Sequence, residues 1–503
     1  MKACERVRER SLKGKIMFVE DAVKLITDGM TVACSGFTPA GYPKALPQAL
    51  AHKAKKGQKV KLTVITGAST GDELDGELAR GKIIKKRYPY QTNNDCRAGI
   101  NSGEIDFCDI HLSHLPQFIK YGYLGNIDVA VVEAVAITED GGIVPSTSVG
   151  ATNVFIQKAE KVIVEINLAQ PAELEGIHDI YNVGDPPFRE PIPLRKVSDR
   201  IGLPYIPCPK DKIAAIVLSQ KKDSTNKVAD IDKDARLIAG HIMDFLEFEI
   251  KKGRLPKNLL PLQSGVGSVA NAVLANFKES NFENLQIYSE VLQDAVLDLI
   301  DAGKVSFASG TSFTISPSKL DHFYRNLNTY KRRAILRPQE ISNNPEVIRR
   351  LGVIAMNTAI EVDIYGNVNS THIAGSGMMN GIGGSGDFAR NAALSIFTTK
   401  SVAKNGEISS IVPMVSHHDH TEHDVHVVVT EQGLADLRGL SPKERARQII
   451  NKCAHPDFKD QLWDYYREAS FFSRYKHTPH LLNKVFEWHE NFLKYGRMRP
   501  KVG

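Results

Sequence analysis

Residues 258–294 read NLLPLQSGVGSVANAVLANFKESNFENLQIYSEVLQD, a strand-like segment, a Ser-Gly turn, a helix and a second strand. The same succession occurs earlier, where residues 30–70 read MTVACSGFTPAGYPKALPQALAHKAKKGQKVKLTVITGAST. Ser35-Gly36 of the earlier copy corresponds to Ser264-Gly265 of the later one. Strand-like and helix-like segments alternate along the chain. We therefore expect an α/β protein of two topologically related domains with mainly parallel, open sheets.

A polar segment separates the two copies. Residues 219–235, SQKKDSTNKVADIDKDA, lie between strand-like KIAAIVL and helix-like ARLIAGHIMDFLEFEI. Polar, unpatterned segments of this kind are typical of loops and linkers. The sequence therefore predicts a first α/β domain over 1–222 and a second over 223–503.

Glu290 ends the second strand of the later copy. When the copies are aligned on Leu62 and Leu285, Gly67 lies opposite Glu290, so that only the later copy carries a carboxylate there. Burying a carboxylate without partners is costly, and ligands of open α/β sheets bind at the carboxyl ends of strands. Glu290 is therefore a candidate reactive group. A water-facing acid at the entry of the following helix is the alternative.

Composition excludes several classes of protein. The 503 residues are 42% hydrophobic and 24% charged, and the net charge of +6 is spread without long basic runs, so nucleic-acid binding is not expected. No apolar run reaches the length of a membrane span. The N-terminal segment MKACERVRERSLKGKIMF lacks a hydrophobic signal region. The six cysteines contain no CxxC pair, which favours reduced thiols and a cytoplasmic protein.

Two glycine-rich loops flank Glu290 in the sequence. Residues 262–273, LQSGVGSVANAV, open a helix, and residues 375–397, GSGMMNGIGGSGDFARNAALSIF, hold six glycines before another. Free N–H groups at such positions favour an anion or a developing oxyanion. Neither loop is a Walker A motif or a dinucleotide fingerprint. For the first loop a plain tight turn explains the pattern equally well.

A histidine cluster and a second carboxylate complete the candidates. Residues 416–426, SHHDHTEHDVH, include His417, His418 and His420, but their spacing fits no standard metal motif, and no metal is expected. Glu431 follows a strand, as Glu290 does; a helix N-terminal acid is the alternative. Because no GxSxG elbow or catalytic cysteine context is present, a carboxylate is the best-placed nucleophile.

Long motifs in order over the whole chain resemble the class I coenzyme A transferases, in the acetyl-CoA hydrolase/transferase branch. They are SGFTPAGYPKALPQALA, ITGASTG, DGELA, VEAVAITEDGGIVP, EGIHDIY, LLPLQSGVGSVANAVL, YSEVLQD, EISNNPEVIRRLG, DIYGNVNSTHI, MMNGIGGSGDFARNA and TEQGLADLRGLSP. The resemblance implies two α/β domains of shared topology. It also implies movement of CoA between short-chain carboxylates, with succinyl-CoA and acetate the expected pair, in acetate metabolism linked to the tricarboxylic acid cycle.

The resemblance implies that Glu290 is the nucleophile. Its carboxylate would attack the acyl-CoA carbonyl, and the released thiolate would then form a glutamyl–CoA thioester. CoA would be a co-substrate, and no prosthetic group would be needed. Hydrolysis of acetyl-CoA at the same site and propionyl-CoA:succinate transfer remain alternatives. A CoA-binding sensor without turnover and a metal-dependent enzyme built on the histidine cluster are alternatives from other classes.

The resemblance also assigns further site residues. The oxyanion donors would be the N–H groups of Val266 and Gly384, with Asn343 and Glu431 near the active site. The residues implied to contact CoA are Leu262, Gln263, Ser264, Gly265, Val266, Asn380, Gly384 and Lys404. The partners implied are acyl-CoA, succinate, acetate and a second copy in a homodimer, with no nucleic acid and no membrane.

Overall fold

A computed structural model describes residues 5–225, 230–265 and 267–499. The chain forms two compact units, one of residues 1–227 with 286–351 and the other of residues 228–285 with 352–503. Residues 286–351, which carry Glu290, are therefore compact with the N-terminal part of the chain. The predicted division at 222/223 separates two sequence repeats rather than two compact units, and it stays a prediction.

The strands carry the two sheets and several short ribbons. In chain order they are β1 (Thr31–Cys34), β2 (Leu62–Thr66), β3 (Ile84–Tyr88), β4 (Asp106–Phe107), β5 (Ile127–Ile137), β6 (Ile143–Pro145), β7 (Ala159–Asn167), β8 (Ile213–Ser219), β9 (Leu262–Ser264), β10 (Leu285–Tyr288), β11 (Val291–Gln293), β12 (Val305–Gly310), β13 (Ser312–Thr314), β14 (Ala334–Leu336), β15 (Ile354–Thr358), β16 (Glu361–Asp363), β17 (Val368–Asn369), β18 (His372–Ile373), β19 (Gly377–Met378), β20 (Leu394–Thr398), β21 (Val402–Ala403), β22 (Ile408–Ser409), β23 (Ile411–Val412), β24 (Val427–Thr430) and β25 (Gly433–Asp436).

The α-helices alternate with these strands. They are α1 (Val19–Ala22), α2 (Ala45–Lys55), α3 (Glu77–Arg80), α4 (Asn94–Asn101), α5 (His114–Lys120), α6 (Thr152–Lys158), α7 (Lys233–Lys251), α8 (Ser268–Glu279), α9 (Asp294–Asp301), α10 (Pro317–Arg325), α11 (Leu327–Tyr330), α12 (Gln339–Ser342), α13 (Pro345–Leu351), α14 (Ser385–Asn391), α15 (Pro442–Cys453), α16 (Pro456–Phe472) and α17 (Glu487–Tyr495). No helix of the described residues is long and apolar enough to span a membrane.

The first unit is built on a parallel sheet. Its strand order is β4-β3-β2-β1-β5-β7-β8, and β6 adds an antiparallel strand beside β5. Strand β5 reads IDVAVVEAVAI and is buried along almost its whole length. Such continuous apolar runs are typical of parallel strands covered on both faces. The carboxyl ends of β1 to β4 therefore meet along one edge, where the loops of the earlier repeat begin.

Residues 286–351 add the strands that carry Glu290. Strand β12 lies between β10 and β14, and β12 and β14 run parallel. The short strands β11 and β13 pair with each other, also in parallel. Glu290 falls between β10 and β11, so the loop at the end of one strand holds it.

The second unit holds its own parallel strands. In order, β9, β15, β20 and β24 are parallel neighbours, and β25 returns antiparallel to β24. Helix α15 begins with a capping box, in which Ser441 and Glu444 satisfy each other's backbone N–H groups, and with proline at its first position. Mainly parallel sheets in both units confirm the predicted α/β class.

Candidate functional site

Glu290 occupies a bend between two short strands. Its carbonyl oxygen accepts hydrogen bonds from the N–H groups of Thr311, at 2.7 Å, and Ser312, at 3.2 Å. Just before it, the N–H of Ser289 donates to the carbonyl of Ser309 at 3.0 Å. Helix α9 begins only at Asp294, so the helix-entry interpretation of Glu290 is wrong. The backbone on both sides of the carboxylate is fixed by hydrogen bonds.

Asn343 holds one oxygen of the Glu290 carboxyl group. Its Nδ2 donates to Glu290 Oε1 at 2.7 Å, and the Asn343 side chain is fully buried. Asn343 ends α12, where its N–H donates to the carbonyl of Gln339 at 2.8 Å. The Tyr288 hydroxyl donates to the Ile341 carbonyl at 2.5 Å, joining the strand before Glu290 to the same helix. Asn343 therefore orients the carboxyl group, while its catalytic role stays a prediction.

The surroundings of Glu290 keep its charge poorly compensated. Burial raises the pKa of Glu290 to about 7, and the hydrogen bond from Asn343 opposes this rise. Within the described part of the chain, no cationic side chain forms an ion pair with this carboxylate and no other group donates to it. The side chain nevertheless keeps some accessible surface. A carboxylate that is accessible but poorly solvated is suited to nucleophilic attack at neutral pH.

An apolar cluster lines the chain around Glu290. Phe37, Ala68, Leu112 and Val291 form it, and the ring of Tyr90 packs against it. Phe37, Ala68 and Tyr90 follow β1, β2 and β3, while Val291 is the residue after Glu290. The sequence pattern alone does not predict this cluster. The one feature of the sequence that indicates it is the presence of apolar residues just after the ends of neighbouring strands. Such residues look the same in sequence when they belong to the hydrophobic core.

Gly67, which aligns with Glu290 in the repeat, occupies a crowded place. A Cβ atom built on it would lie 2.6 Å from the carbonyl oxygen of Gly36 and 3.1 Å from Cα of Gly150. The first distance is too short for any side chain unless the backbone moves, and the second is tight. The earlier copy therefore has no room for a carboxylate at the corresponding position, and this explains the asymmetry of the two repeats.

The first predicted CoA-binding loop lies in the second unit. Leu262, Gln263 and Ser264 form β9, and Val266 lies outside the described residues. The Gln263 amide is engaged within the sheet, donating to Asn357 Oδ1 at 3.2 Å and accepting from the N–H of Met356 at 3.0 Å. Gly265 donates to the Met356 carbonyl at 3.2 Å.

A shallow cleft lies directly beside this loop. Its lining includes Ser264, Gly265, Asn357 and Thr398. The CoA-binding roles of Leu262 to Gly265 stay predictions.

The second glycine loop leads into α14. Gly384 immediately precedes that helix. Asn380 Nδ2 donates to the neighbouring Gly381 carbonyl at 2.8 Å. Lys404 is exposed, and its ammonium group lies 5.0 Å from the centre of the Phe492 ring. An exposed lysine is chemically suited to an anionic ligand. The roles of Gly384, Asn380 and Lys404 stay predictions.

Glu431 differs from Glu290 in its surroundings. It lies in the turn between β24 and β25, so the interpretation as a helix N-terminal acid is wrong. The N–H of Ser401 donates to Oε2 at 2.8 Å, while the Ser401 hydroxyl and Gln432 donate to Oε1. Burial alone would raise its pKa, but the hydrogen bonds from Ser401 outweigh it and the pKa is lowered. Glu431 is therefore a stably ionised carboxylate.

The histidine cluster is held by contacts of other kinds. The ring of His417 lies against that of His372, with centroids 3.9 Å apart. His420 Nε2 lies 3.1 Å from the Ser385 hydroxyl. Burial lowers the pKa of His418. Among residues 5–225, 230–265 and 267–499, no group of three or more His, Cys, Asp and Glu side chains is arranged to hold a metal ion.

Two family models cover most of the sequence. Residues 1–218 match the acetyl-CoA hydrolase/transferase N-terminal domain, and residues 320–466 match the C-terminal domain of the same family. The chain belongs to the acetyl-CoA hydrolase/transferase family. The resemblance given by the sequence motifs is thereby confirmed.

Similar proteins carry two different names. The succinyl-CoA:acetate CoA-transferase of Clostridium kluyveri is 55% identical over 98% of this chain and 92% of its own. The acetyl-CoA hydrolase of Schizosaccharomyces pombe is 47% identical over 98% of both chains. Among solved structures, the 4-hydroxybutyrate CoA-transferase of Porphyromonas gingivalis matches with a TM-score of 0.63 at 20% identity, over 91% of this chain and 98% of its own. That likeness confirms the fold.

Proposed function

We propose that this member of the acetyl-CoA hydrolase/transferase family moves CoA between short-chain carboxylic acids, with succinyl-CoA and acetate as its substrates, through a thioester on Glu290. The proposal is supported by the environment of the Glu290 carboxylate. Its pKa is raised to about 7 by burial, it is accessible, and Asn343 alone of the described residues orients it. The 55% identical relative from Clostridium kluyveri, named for this activity, supports the choice of substrates.

We propose different tasks for the two carboxyl oxygens of Glu290. Asn343 occupies Oε1, so Oε2 attacks the acyl carbonyl carbon, and the C–S bond breaks to release the CoA thiolate. The product is an acyl-glutamyl anhydride. The thiolate then attacks the glutamyl Cδ, which expels the first carboxylate and leaves CoA on Glu290. An acceptor carboxylate reverses both steps, so that no net oxidation or hydrolysis occurs.

Each step needs donors for a developing oxyanion. We propose the N–H groups of Val266 and Gly384 for this task. CoA would lie along Leu262 to Gly265, with Asn380 and Lys404 as further contacts. Lys404 suits the anionic part of the cofactor because it is an exposed cation. Glu431, already ionised and hydrogen-bonded to Ser401, would orient Ser401 and the segment that leads to Lys404.

The covalent intermediate provides the test. The protein is incubated with succinyl-CoA without acceptor, reduced with borohydride and digested. A glutamyl thioester becomes an alcohol and loses CoA, and the modified residue should be Glu290 in the peptide that contains YSEVLQD. CoA exchange without modification of Glu290 would overturn the covalent route. No exchange with any acyl-CoA would overturn the transferase proposal.

Hydrolysis is the second candidate, because relatives between 43% and 47% identical are named acetyl-CoA hydrolases. Water would intercept the same thioester. Release of free CoA is measured from acetyl-CoA with and without succinate. A transferase releases little CoA without an acceptor and forms succinyl-CoA with one, whereas a hydrolase releases CoA equally in both cases. The same assay with propionyl-CoA tests the propionyl-CoA:succinate alternative.

We propose further that the protein is a cytoplasmic homodimer. Reduced cysteines support the compartment, since five described cysteines are free and four of these are buried. Light scattering after gel filtration measures the mass in solution. A value near twice 55.6 kDa would support the dimer, and a value near 55.6 kDa would contradict it.

A further inference from the structure

Tyr90 packs next to the chain segment that holds Glu290. It follows β3, and its ring packs against the cluster of Phe37, Ala68, Leu112 and Val291. Val291 is joined to Glu290 in the chain, so the ring packs next to the segment that carries the carboxylate. The Tyr90 side chain keeps some exposed surface. An aromatic ring fixed on apolar neighbours forms a rigid wall for a small ligand.

The hydroxyl group of Tyr90 is the polar end of this wall. It forms no hydrogen bond with any residue of the described ranges. The hydroxyl lies within electrostatic range of the carboxylates of Glu290 and Asp109 and of the guanidinium of Arg97. Burial raises its pKa, so the group stays protonated and can donate a hydrogen bond. A phenol near a nucleophile and without a partner is a ready donor for an anionic substrate.

The hydroxyl is near Glu290 but not bonded to it. The one described donor to the carboxyl group is Asn343, on Oε1. The phenol therefore interacts with the carboxylate through its field alone, and its hydrogen bond is left for a substrate bound at Glu290. An acetyl group has no second polar group to place there, whereas a succinyl group ends in a carboxylate.

We propose that Tyr90 determines specificity for dicarboxylic acyl groups: its ring bounds the acyl chain, and its hydroxyl donates a hydrogen bond to the carboxylate at the far end of a succinyl group. This inference rests on the proposed function, because it places the acyl carbon at Glu290. Arg97 contributes a positive field to the same region, but Glu290 and Asp109 contribute larger negative ones, so the hydrogen bond from the hydroxyl and not the net field holds the succinyl carboxylate. Tyr90 thereby makes the site favour a four-carbon dicarboxylate over a simple alkyl chain of similar length.

The test separates the hydroxyl group from the ring. Rates of glutamyl–CoA formation are measured with succinyl-CoA and with acetyl-CoA, without acceptor, for the wild type, Tyr90→Phe and the control Tyr123→Phe. Tyr123 is an exposed tyrosine of the same unit, at 69% exposure. Because a hydrogen bond to a charged group is lost, Tyr90→Phe should slow the succinyl-CoA reaction by about tenfold or more. The acetyl-CoA reaction should change by less than about twofold, and the control should change neither.

The other outcomes are distinct. An equal loss with both acyl-CoAs, or no loss with either, would overturn the specificity role of Tyr90. If the wild type forms no thioester with either acyl-CoA, the proposed function fails independently of Tyr90. Calorimetric titration of free succinate and acetate then tests the tyrosine: weaker binding of succinate alone in Tyr90→Phe supports the contact, and unchanged succinate binding overturns it.

Discussion

Glu133 and Glu290 are two carboxylates of the same unit, and burial raises the pKa of both. Glu133 is fully enclosed on β5, and its oxygens meet the Lys44 ammonium at 2.5 Å, the Ser146 hydroxyl at 2.6 Å and the Asn167 amide at 2.8 Å. Glu290 has the Asn343 amide and an accessible surface. Burial alone therefore does not identify a reactive carboxylate. What sets Glu290 apart is its accessible surface and the single hydrogen bond that its carboxyl group receives from the described residues.

The largest effect should appear when Glu290 is neutralised and activity is measured. Glu290→Gln keeps the shape and the oxygen that Asn343 contacts but removes the proposed nucleophile. Loss of a covalent nucleophile commonly lowers turnover by at least about 10³-fold, and we expect that for CoA exchange. Steady-state exchange between succinyl-CoA and labelled acetate measures it.

Two checks accompany this variant. Glu139→Gln, at an exposed site of the same unit, serves as control and should retain full activity. Mass spectrometry must show that the new amide has not hydrolysed back to glutamate. Activity above one-tenth of the wild-type value in verified Glu290→Gln would contradict the covalent mechanism.

The Lys44 cluster should respond in stability instead. The ammonium of Lys44 is fully buried between Glu133, at 2.5 Å, and Asp223, at 2.8 Å, and it also donates to the Tyr42 carbonyl at 2.8 Å. Lys44→Met leaves two buried acids without their cation. Breaking a buried ion pair by removing one partner costs about 3–5 kcal/mol, and we expect the free energy of unfolding to fall by that amount.

Urea denaturation measures this change. Lys55→Met is the matched control, because Lys55 is exposed and lies 3.3 Å from Glu77; it should alter the free energy of unfolding by less than about 1 kcal/mol. A loss below about 1 kcal/mol in Lys44→Met would show that the cluster contributes little, and that Glu133 and Asp223 are neutral without Lys44.

Ionisation of Glu290 should lower the stability of the folded protein as pH rises toward 7. Its pKa is raised from 4.5 in the unfolded chain to about 7 in the folded one, so the folded protein binds the proton more tightly. The contribution of Glu290 to the free energy of unfolding therefore falls as pH rises from about 4.5 to 7, and it is constant at higher pH. Glu290→Gln should remove this loss, raising the free energy of unfolding at pH 8 by up to about 3 kcal/mol relative to the wild type.

Thermal unfolding of both proteins between pH 5 and pH 8 measures the difference. The gain in melting temperature should be small near pH 5 and larger at pH 8. A gain that is the same at both pH values would mean that the amide stabilises by packing, and that the carboxylate carries no raised pKa.

Periodic patterns in the sequence predicted the fold class and the place of Glu290 at a strand end. The repeat aligned Gly67 with Glu290, but only the structure explains why the earlier copy has glycine there. A Cβ atom at Gly67 would lie 2.6 Å from the carbonyl oxygen of Gly36. The surroundings of Glu290 were not predictable from periodicity. Tyr90 and Leu112 come from loops that lie far from Glu290 in the sequence, and a single sequence carries no signal for packing between such distant segments.

The buried cluster of Lys44 and Glu133 could not be predicted from the sequence either, because its members are distant from each other along the chain. Glu133 interrupts the apolar run of β5, and Lys44 stands 89 positions earlier, so neither residue indicates the other. Their pairing depends on β1 and β5 being neighbours in the sheet. Conversely, Glu431 resembles Glu290 in sequence context, yet Ser401 occupies its carboxylate. Strand-end position identifies candidate acids, and the number of hydrogen bonds that each acid receives distinguishes them.

The smallest expected effect concerns Asn343. Its hydrogen bond favours the ionised form of Glu290 and so lowers a pKa that burial raises. Asn343→Ala should therefore move the acidic limb of the pH profile of kcat/KM upward by about one unit, which corresponds to about tenfold lower activity below that limb. Asn94→Ala, at an exposed site of the same unit, is the control.

The alkaline plateau then distinguishes two roles of Asn343. Where Glu290 is fully ionised in both proteins, a purely electrostatic role predicts equal kcat/KM for Asn343→Ala and the wild type. A deficit that persists on the plateau means that Asn343 also orients Oε2 toward the acyl carbon, as its fixed place at the end of α12 predicts. An unshifted limb with a full plateau would show that this hydrogen bond has no part in the chemistry.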